Sequence, residues 1–253
     1  MIATTCRLPV GGVPIDFLEP SAAADRIASQ DFRGDVHLCN AYTLALADER
    51  SDLASALDGA ALNLPDGTPL AWFARRRGID GCTRVYGPDL MCDVLDRGQT
   101  IDLGHYLYGS TPEVLAALEQ RIGERWPGAR IVGSESPPFR DITDDELDTS
   151  LCRAEELEAD IVWVGMGTPK QDLLVRRMAV KGDGTYVAVG AAFDFIAGVK
   201  KQAPAWMQRA GLEWLFRLVT EPRRLARRYL VYNWKFLSLL WRSREQRSTG
   251  VSA

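Results

Sequence analysis

The sequence predicts an α/β protein with a doubly wound, mainly parallel sheet of about six strands and a helical C-terminal appendage. Six short apolar runs recur between residues 35 and 190. Most of them are continuously apolar rather than alternating, which is typical of strands covered on both faces. Helical patterns alternate with these runs, and that alternation favours parallel strands joined by crossover helices.

The elements follow in order along the chain. We expect strands at 35–40, 60–64, 105–109, 129–133, 160–165 and 185–190. We expect helices at 41–57, 88–95, 111–126 and 143–157, and a further helix that starts at Gly67 and Thr68. After Pro204 no strand follows, and helical patterns at 205–219 and 222–241 meet at Pro222, which suits a first helical turn. The chain therefore divides into a main domain at 1–199 and an appendage at 200–253.

Composition argues against several classes of protein. A length of 253 residues accommodates one large α/β domain or two small ones. The five cysteines show no C-x-x-C spacing, which argues against a zinc ribbon or a disulfide framework and indicates reduced thiols. The two histidines, His37 and His105, form no H-x-x-x-H pattern, so no histidine-built metal site is expected. We expect neither a signal peptide nor a membrane span, because no run of about 18 apolar residues occurs.

The charge is unevenly distributed. Residues 200–253 contain twelve basic and three acidic side chains, a net charge of +9, whereas the whole chain carries −4. The first 199 residues therefore carry −13. An acidic body with a basic end indicates that the end meets an anionic partner: nucleic acid, a membrane or a phosphate-bearing ligand.

The segment LNLPDGTPLAW at 62–72 places an aspartate where a ligand is expected. In parallel α/β sheets, ligands bind beyond the carboxyl ends of the strands, and Asp66 directly follows an expected strand. A carboxylate there can act as a base that removes a proton. Asp-Gly is also ordinary turn chemistry, because aspartate hydrogen-bonds its own backbone and glycine accepts positive φ. The segment alone leaves the turn and the base both open.

The segment GMGTPKQD at 165–172 follows another expected strand and has the features of a phosphate-binding helix start. Its glycines allow close approach of the backbone, Thr168 can cap the helix, and proline suits the first position. The free N–H groups and the positive dipole end suit a phosphate. The candidate residues are Gly165, Gly167, Pro169, Lys170 and Gln171. A plain turn with a good cap is the alternative, and the Walker A and G-x-G-x-x-G patterns do not match.

Further loops hold polar candidates. YGSTPEV at 108–114 repeats the same device, with Gly109 and a capping Ser110 or Thr111, which favours a nucleotide or diphosphate ligand. Arg84 precedes a Gly-Pro helix start and is either a ligand contact or a surface arginine. Asp194, beyond the last strand, is a cap, a buried hydrogen-bonding group or a catalytic carboxylate. A D-x-D triplet, which often holds the metal of a sugar nucleotide, does not occur, so metal-independent chemistry is favoured.

The appendage combines arginines with aromatic residues. Arg217, Arg224 and Arg227 or Arg228 lie near one helical face if the helices continue without a sharp bend, and arginines so grouped could hold a diphosphate. The segment YLVYNWKFLSLLW at 229–241 is too short to span a bilayer but suits its interface. The alternative is a helix packed on the main domain with solvated arginines.

Taken together, these segments resemble the WecG/TagA/CpsF family of bacterial glycosyltransferases from about residue 35 to 240. The shared pieces are CNAYTLALA (39–47), LPDGTPL (64–70), RVYGPDLM (84–91), YLYGSTPEV (106–114), GSESPPF (133–139) and VGMGTPKQD (164–172). The most distinctive piece is the block at 189–230, which contains Leu-Glu-Trp-Leu and Glu-Pro-Arg-Arg.

The resemblance implies a Rossmann-like domain and an inverting, metal-independent hexosyltransferase without a bound cofactor. Its donor would be a sugar nucleotide, usually a UDP-sugar. Its acceptor would be a sugar on polyprenyl (undecaprenyl) diphosphate, in exopolysaccharide, capsule or teichoic-acid biosynthesis. Asp66 matches the aspartate proposed as general base. Polar pocket residues are matched by Asn40, Arg84 and Gln171, and the tail arginines proposed to meet the lipid diphosphate by Arg217, Arg224 and Arg227.

The resemblance also implies a cytoplasmic location, with the appendage docked on the inner face of the plasma membrane. A non-catalytic nucleotide- or membrane-binding module of the same fold is the second hypothesis, and Asp66 argues against it. Nucleic acid is not an expected partner, because Trp and Leu at helical spacing in the tail suit a membrane or core face better. The sequence leaves open the donor sugar, the acceptor, the polymer, the group that stabilises the leaving diphosphate, and the oligomeric state, a homo-oligomer included.

Overall fold

The structure, a computed structural model, describes residues 6–79, 82–204, 206–207, 210, 212–222 and 231–241. Its strands are β1 (Cys6–Val10), β2 (Val13–Phe17), β3 (Gly34–Cys39), β4 (Leu62–Pro65), β5 (Gly104–Gly109), β6 (Arg130–Glu135), β7 (Ile161–Gly165) and β8 (Thr185–Ala188). The last six form one parallel sheet in the order β4-β3-β8-β7-β5-β6. The predicted α/β class and its six strands are confirmed.

Helices lie between the strands and after them. They are α1 (Pro20–Ala28), α2 (Ala41–Ala47), α3 (Ser51–Asp58), α4 (Thr68–Arg76), α5 (Gly87–Gly98), α6 (Pro112–Arg125), α7 (Asp144–Glu156), α8 (Lys170–Lys181), α9 (Ala192–Ile196) and α10 (Glu213–Thr220). Residues 231–241 are also helical and are called the C-terminal helix below.

The single helix predicted at 41–57 is wrong, because the structure divides it into α2 and α3. Arg50 has extended backbone angles (φ −121°, ψ 108°) and stands at the N-cap of α3. The interruption redirects the chain, so Leu44 from α2 and Leu53 and Leu57 from α3 all enter one apolar cluster. A continuous helix would present a single apolar stripe, whereas two short helices can turn separate faces to that cluster.

The continuous apolar runs of the sheet arise because both faces are covered. On β7, Ile161 and Trp163 pack into one apolar cluster and Val162 and Val164 into another, as the period of two along a strand requires. On β3, Val36 and Leu38 face the first cluster, while Asp35 and His37 stand on the opposite face and are also buried. One apolar-looking strand therefore carries a buried pair of ionisable groups.

The two N-terminal strands form a hairpin that the sequence analysis did not predict. Strands β1 and β2 pair antiparallel from Cys6↔Phe17 to Val10↔Val13. The hairpin shares an apolar cluster with Phe236 and Leu239 of the C-terminal helix. Lys235 of that helix forms an ion pair with Glu49. The described end of the appendage thus packs on the main domain; the division at residue 200 stays a prediction.

Leu239→Ala is expected to lower the free energy of unfolding by about 2 kcal/mol, because a large buried side chain is lost and a cavity remains. Leu239 is 3% exposed and lies against Gly11 of the hairpin turn. Leu237→Ala is the matched control, since Leu237 is 59% exposed on the same helix and should change stability by less than about 0.5 kcal/mol. Urea denaturation of both variants measures this; equal effects would contradict the packing of this helix on the hairpin.

Candidate active site

A cavity of about 190 Å³ opens at the carboxyl ends of β3, β4, β7 and β8. Six of the residues proposed for the site line this cavity. Asn40, Asp66, Gly165 and Gly167 lie at strand ends or just after them, Gln171 lies in the first turn of α8, and Arg217 lies in α10. This is the edge of the sheet at which parallel α/β proteins bind ligands.

Asp66 serves the turn and the cavity together. Its backbone N–H donates to the carbonyl of Cys39 at 2.8 Å, which ties the end of β4 to β3. Gly67 follows with φ +134°, a conformation that favours glycine, and α4 begins at Thr68. The Asp66 side chain is 23% exposed and lines the cavity. The two alternatives that the sequence left open are therefore compatible in one residue.

Arg84 lies between two carboxylates. Its Nε is 3.3 Å from Oδ1 of Asp66, and its Nη2 is 2.5 Å from Oε2 of Glu213 in α10. The guanidinium carbon stands 4.0 Å from the centroid of the Tyr86 ring, a cation–π arrangement. Arg84 is therefore not a solvated surface arginine, because its side chain is only 18% exposed and contacts the candidate base.

Burial raises the pKa of Asp66 above its ordinary value. The positive charges of Arg84 and Arg217 oppose this rise, and the negative charge of Glu213 adds to it. A carboxylate with a raised pKa is a stronger base than one in water, provided that the pH is high enough to ionise it.

Asn40 is the N-cap of α2. Its Oδ1 accepts hydrogen bonds from the N–H groups of Tyr42 at 3.0 Å and Thr43 at 3.2 Å. The oxygen is therefore committed to the helix, and the amide nitrogen remains as the group that Asn40 can offer to a ligand in the cavity.

Gln171 holds the loop between β7 and α8. Its Oε1 accepts from the N–H of Gly167 at 2.8 Å, and the residue is 4% exposed. The prediction that Thr168 caps the helix is wrong: α8 begins at Lys170 with Pro169 at the N-cap, where no side chain accepts a cap hydrogen bond. The Gln171 side chain, in the first turn of α8, thus holds the preceding loop by a hydrogen bond from the Gly167 N–H.

The sequence as a whole was compared with known families. The family model described as "Glycosyl transferase WecG/TagA/CpsF family" matches residues 8–250 of the 253. The chain belongs to this family. It is therefore a glycosyltransferase, and the resemblance noted in the sequence is confirmed.

In the glycosyltransferase, only some of the residues predicted to form the nucleotide-binding loop after β7 line the cavity. Gly165 and Gly167 line it. Pro169 and Lys170 do not, and the Lys170 ammonium stands 3.3 Å from Oδ1 of Asp141 on the surface. Whether Lys170 contacts a nucleotide stays a prediction.

The loop after β5 does not line the cavity of the glycosyltransferase but contacts Gly165, which does. Gly109 (φ +120°) backs on to Gly165, and a Cβ atom on Gly109 would lie 2.8 Å from the carbonyl oxygen of Gly165. Of the two candidate caps, Thr111 is the one used, since its Oγ1 accepts from the N–H of Val114 at 3.4 Å. Gly109 and Ser110 are not among the cavity residues, so their predicted role in nucleotide binding stays a prediction.

Cationic side chains around the cavity include one that the sequence analysis missed. Lys200 lines the cavity, and its Nζ is 2.7 Å from Oδ2 of Asp194 and 3.9 Å from Oε1 of Glu221. Asp194, for which three roles were open, is thus an ion-pair partner beside the cavity. The signal for Lys200 was its place in GVKKQAP, just beyond the last strand and α9.

Arg217 is the tail arginine that the structure describes at the site. It lines the cavity, its guanidinium lies 5.8 Å from the Phe195 ring centroid, and its buried Nε has no hydrogen-bond partner among the described residues. A buried donor without a partner is costly, and an anionic ligand would satisfy it. Arg224, Arg227 and Arg228 lie outside the described residues.

Within the described residues, no group of three or more His, Cys, Asp or Glu side chains has the arrangement to hold a metal ion. No helix in the same ranges is long and apolar enough to cross a membrane.

Proposed function

We propose that this glycosyltransferase moves a sugar, with inversion and without a metal, from a UDP-sugar to a saccharide on polyprenyl diphosphate in bacterial cell-surface polysaccharide biosynthesis. The observation that carries the proposal is the Asp66 carboxylate. It lines a cavity at the carboxyl edge of the sheet together with Lys200 and Arg217, and it contacts Arg84, which is not one of the cavity residues. A base next to cations suits a reaction in which an alcohol loses a proton and a diphosphate leaves.

In the proposed reaction, the acceptor hydroxyl attacks the anomeric carbon from the side opposite to the UDP. Asp66 takes the hydroxyl proton as the new C–O bond forms. The bond from the anomeric carbon to the diphosphate oxygen breaks, and its electron pair leaves with UDP. One in-line displacement of this kind inverts the anomeric centre.

The leaving diphosphate gains negative charge, which fixed positive groups can stabilise. Lys200 and Arg217 both line the cavity, and the unpartnered Nε of Arg217 is a donor suited to a phosphate oxygen. The side-chain oxygens of Asn40 and Gln171 already accept hydrogen bonds from backbone N–H groups. Their amide nitrogens remain free to donate hydrogen bonds to neutral oxygen atoms of the sugar donor or of the acceptor saccharide.

The donor screen that tests this proposal uses the purified chain of 253 residues, a short-chain polyprenyl-diphosphate sugar and a panel of UDP-sugars, with the product read by mass spectrometry. One donor should give a product heavier by one sugar, and EDTA should leave the rate largely unchanged. UDP binding without transfer from any donor would instead support a non-catalytic module. A strict requirement for Mg²⁺ or Mn²⁺ would contradict the metal-independent part.

We also propose that the C-terminal helix rests on the inner face of the plasma membrane. Trp234, Leu237 and Trp241 are 73%, 59% and 67% exposed, and their spacing of three and four residues places them on one helical face. That face is opposite to the one that carries the buried Phe236 and Leu239. Exposed tryptophans in a basic segment suit the interface of an anionic membrane.

Replacing Trp234 and Trp241 together by Ser is expected to weaken binding to anionic vesicles about tenfold or more, because two large apolar groups no longer enter the interface. Phe139→Ser is the matched control, since Phe139 is 92% exposed in the segment between β6 and α7, outside the C-terminal helix. Sedimentation with liposomes measures the effect, beside a DNA-binding assay at equal salt. Unchanged vesicle binding of the double variant, or tighter binding to DNA than to vesicles, would overturn the membrane assignment.

A further inference from the structure

The Arg84 guanidinium joins the appendage to the candidate base. Glu213 belongs to α10, in the appendage, whereas Asp66 and Arg84 belong to the main domain. The three side chains are 10%, 23% and 18% exposed, respectively, so the contact is largely shielded from water. Glu213 is one of the buried acidic residues of the chain and had no assigned role.

We propose that Glu213 is a positioning residue of the transfer reaction: it draws the Arg84 guanidinium towards the appendage and so keeps the Asp66 carboxylate free to accept a proton. The inference rests on the proposed function, because it concerns the base of that reaction.

The geometry supports an unequal sharing of Arg84. The contact from Nη2 to Glu213 is 2.5 Å, whereas the contact from Nε to Asp66 is 3.3 Å, which is long for a charge-assisted hydrogen bond. The Tyr86 ring lies against the guanidinium at 4.0 Å and limits its movement out of that plane. Without Glu213, the fork of Arg84 can turn to Asp66 and form a bidentate pair with it. Such a pair would occupy the oxygen atoms that have to accept the proton.

The charges act in the same direction as the geometry. Asp66 is faced by Arg84 from the segment before α5 and by Glu213 and Arg217 from α10, with the Lys200–Asp194 pair on the same cavity. Burial raises the pKa of Asp66, and the negative charge of Glu213 raises it further. Removal of that charge leaves the two arginines less opposed, so the pKa of Asp66 falls and the carboxylate becomes a weaker base.

The sign of the pH effect follows from the role of a base. Asp66 works when it is deprotonated, so the acid limb of the rate profile reports its pKa. In Glu213→Gln the acid limb should move to lower pH by about one unit. The plateau above it should fall about tenfold, because the base is weaker and more tightly paired.

The kinetic experiment compares Glu213→Gln and Glu213→Asp with wild type, using Glu119→Gln as a charge-matched control on the exposed face of α6. In Glu213→Gln, kcat should fall while KM for the donor stays within about twofold. Glu213→Asp should regain most of the rate, because the charge is kept. A lower donor KM with unchanged kcat would overturn the inference, since it would mean that Glu213 only occupies Arg84 until a diphosphate displaces it.

A second measurement needs no substrate. Carbon-13 NMR of chain labelled at the aspartate carboxyl carbon follows the titration of Asp66, which is assigned by its loss in Asp66→Asn. The midpoint in Glu213→Gln should lie about one pH unit below that of wild type. An unchanged or higher midpoint overturns the inference even if transfer is observed. If the wild-type chain transfers no sugar, the proposed function fails while this titration still decides the role of Glu213.

Discussion

Asp66→Asn is expected to lower kcat for sugar transfer by about 10²–10⁴-fold, the range that a positioned general base contributes. The carboxamide cannot take the acceptor proton, whereas its oxygen can still accept from Arg84 at the position of Oδ1. Donor affinity should stay close to that of wild type, because no step of donor binding requires the proton transfer.

The variant should fold normally. The turn depends on the backbone N–H of Asp66, which donates to Cys39, and on the positive φ of Gly67, and neither changes with the side chain. Arg84 keeps its pair with Glu213. We therefore expect the free energy of unfolding to change by no more than about 1 kcal/mol.

Asp58→Asn is the matched control, because Asp58 is an exposed aspartate at the end of α3. Steady-state kinetics with the identified donor and UDP-binding calorimetry, run on both variants, separate loss of chemistry from loss of binding. Turnover of Asp66→Asn near that of wild type would remove Asp66 from the role of base. A retained acid limb in its pH profile would assign that limb to another group.

The strands of the parallel sheet could be predicted from the sequence because a strand buried on both faces is usually a short, continuous apolar run. Most of the six runs are continuously apolar, each is followed by turn residues, and the structure has a strand at every one. The two strands of the hairpin are not continuous apolar runs. Strands β1 and β2 are five residues each, and each contains a proline, Pro9 and Pro14, which sit opposite each other. Their burial combines contacts with α2, α3 and α4 and with the C-terminal helix, which is more than 200 residues away in the chain.

The candidate site divides in the same way. Asp66, Asn40 and Gln171 could be predicted because each directly follows a strand or its loop, and the carboxyl ends of parallel strands meet at one edge. Glu213 could not, because only the folding of the appendage on the main domain brings it to Arg84. The polar character of β3 was hidden for another reason. In DVHLC the ionisable residues Asp35 and His37 alternate with apolar ones, and Asp172, the partner of His37, lies far along the chain in α8.

His37→Leu is expected to lower the free energy of unfolding at about pH 7 by about 3–5 kcal/mol, the usual cost of removing one member of a buried ionic group. His37 Nδ1 is 3.1 Å from Oδ1 of Asp172, and Nε2 is 3.0 Å from Oδ2 of Asp35. A neutral imidazole has one N–H and can donate to one carboxylate only, so both contacts require the imidazolium when both carboxyl groups are ionised. In the variant, two buried carboxylates face an apolar side chain, and Arg176, at 3.4 Å, remains near Asp35 alone.

The pH dependence of this effect is set by the shift of His37. Burial alone would lower the pKa of His37, but hydrogen bonds and charge from Asp172 and Asp35 outweigh burial and raise it above its ordinary value. The stabilisation from His37 is therefore complete below about pH 6.5, its ordinary pKa, and is lost as the pH rises through the higher folded value. For Asp35, burial opposes ionisation, yet His37 lowers its pKa, so the stabilisation from this carboxylate is lost in acid as the pH falls through the folded value.

The deficit of His37→Leu should therefore be largest in mildly acidic solution, from about pH 4 to about pH 6.5, and should shrink as the pH rises through the folded pKa of His37. Urea denaturation of wild type and variant from about pH 4 to about pH 9 measures it. His105 supplies the contrast within the same chain: it is equally buried, accepts from Trp163 at 3.1 Å, and has a pKa lowered to about 4 by burial and Arg130. A variant at His105 should show a deficit that is flat above about pH 7, because an unfolded histidine has a pKa of about 6.5. If the deficit of His37→Leu is equally flat there, His37 is neutral in the native chain, and one of its two carboxylate partners must carry the shared proton.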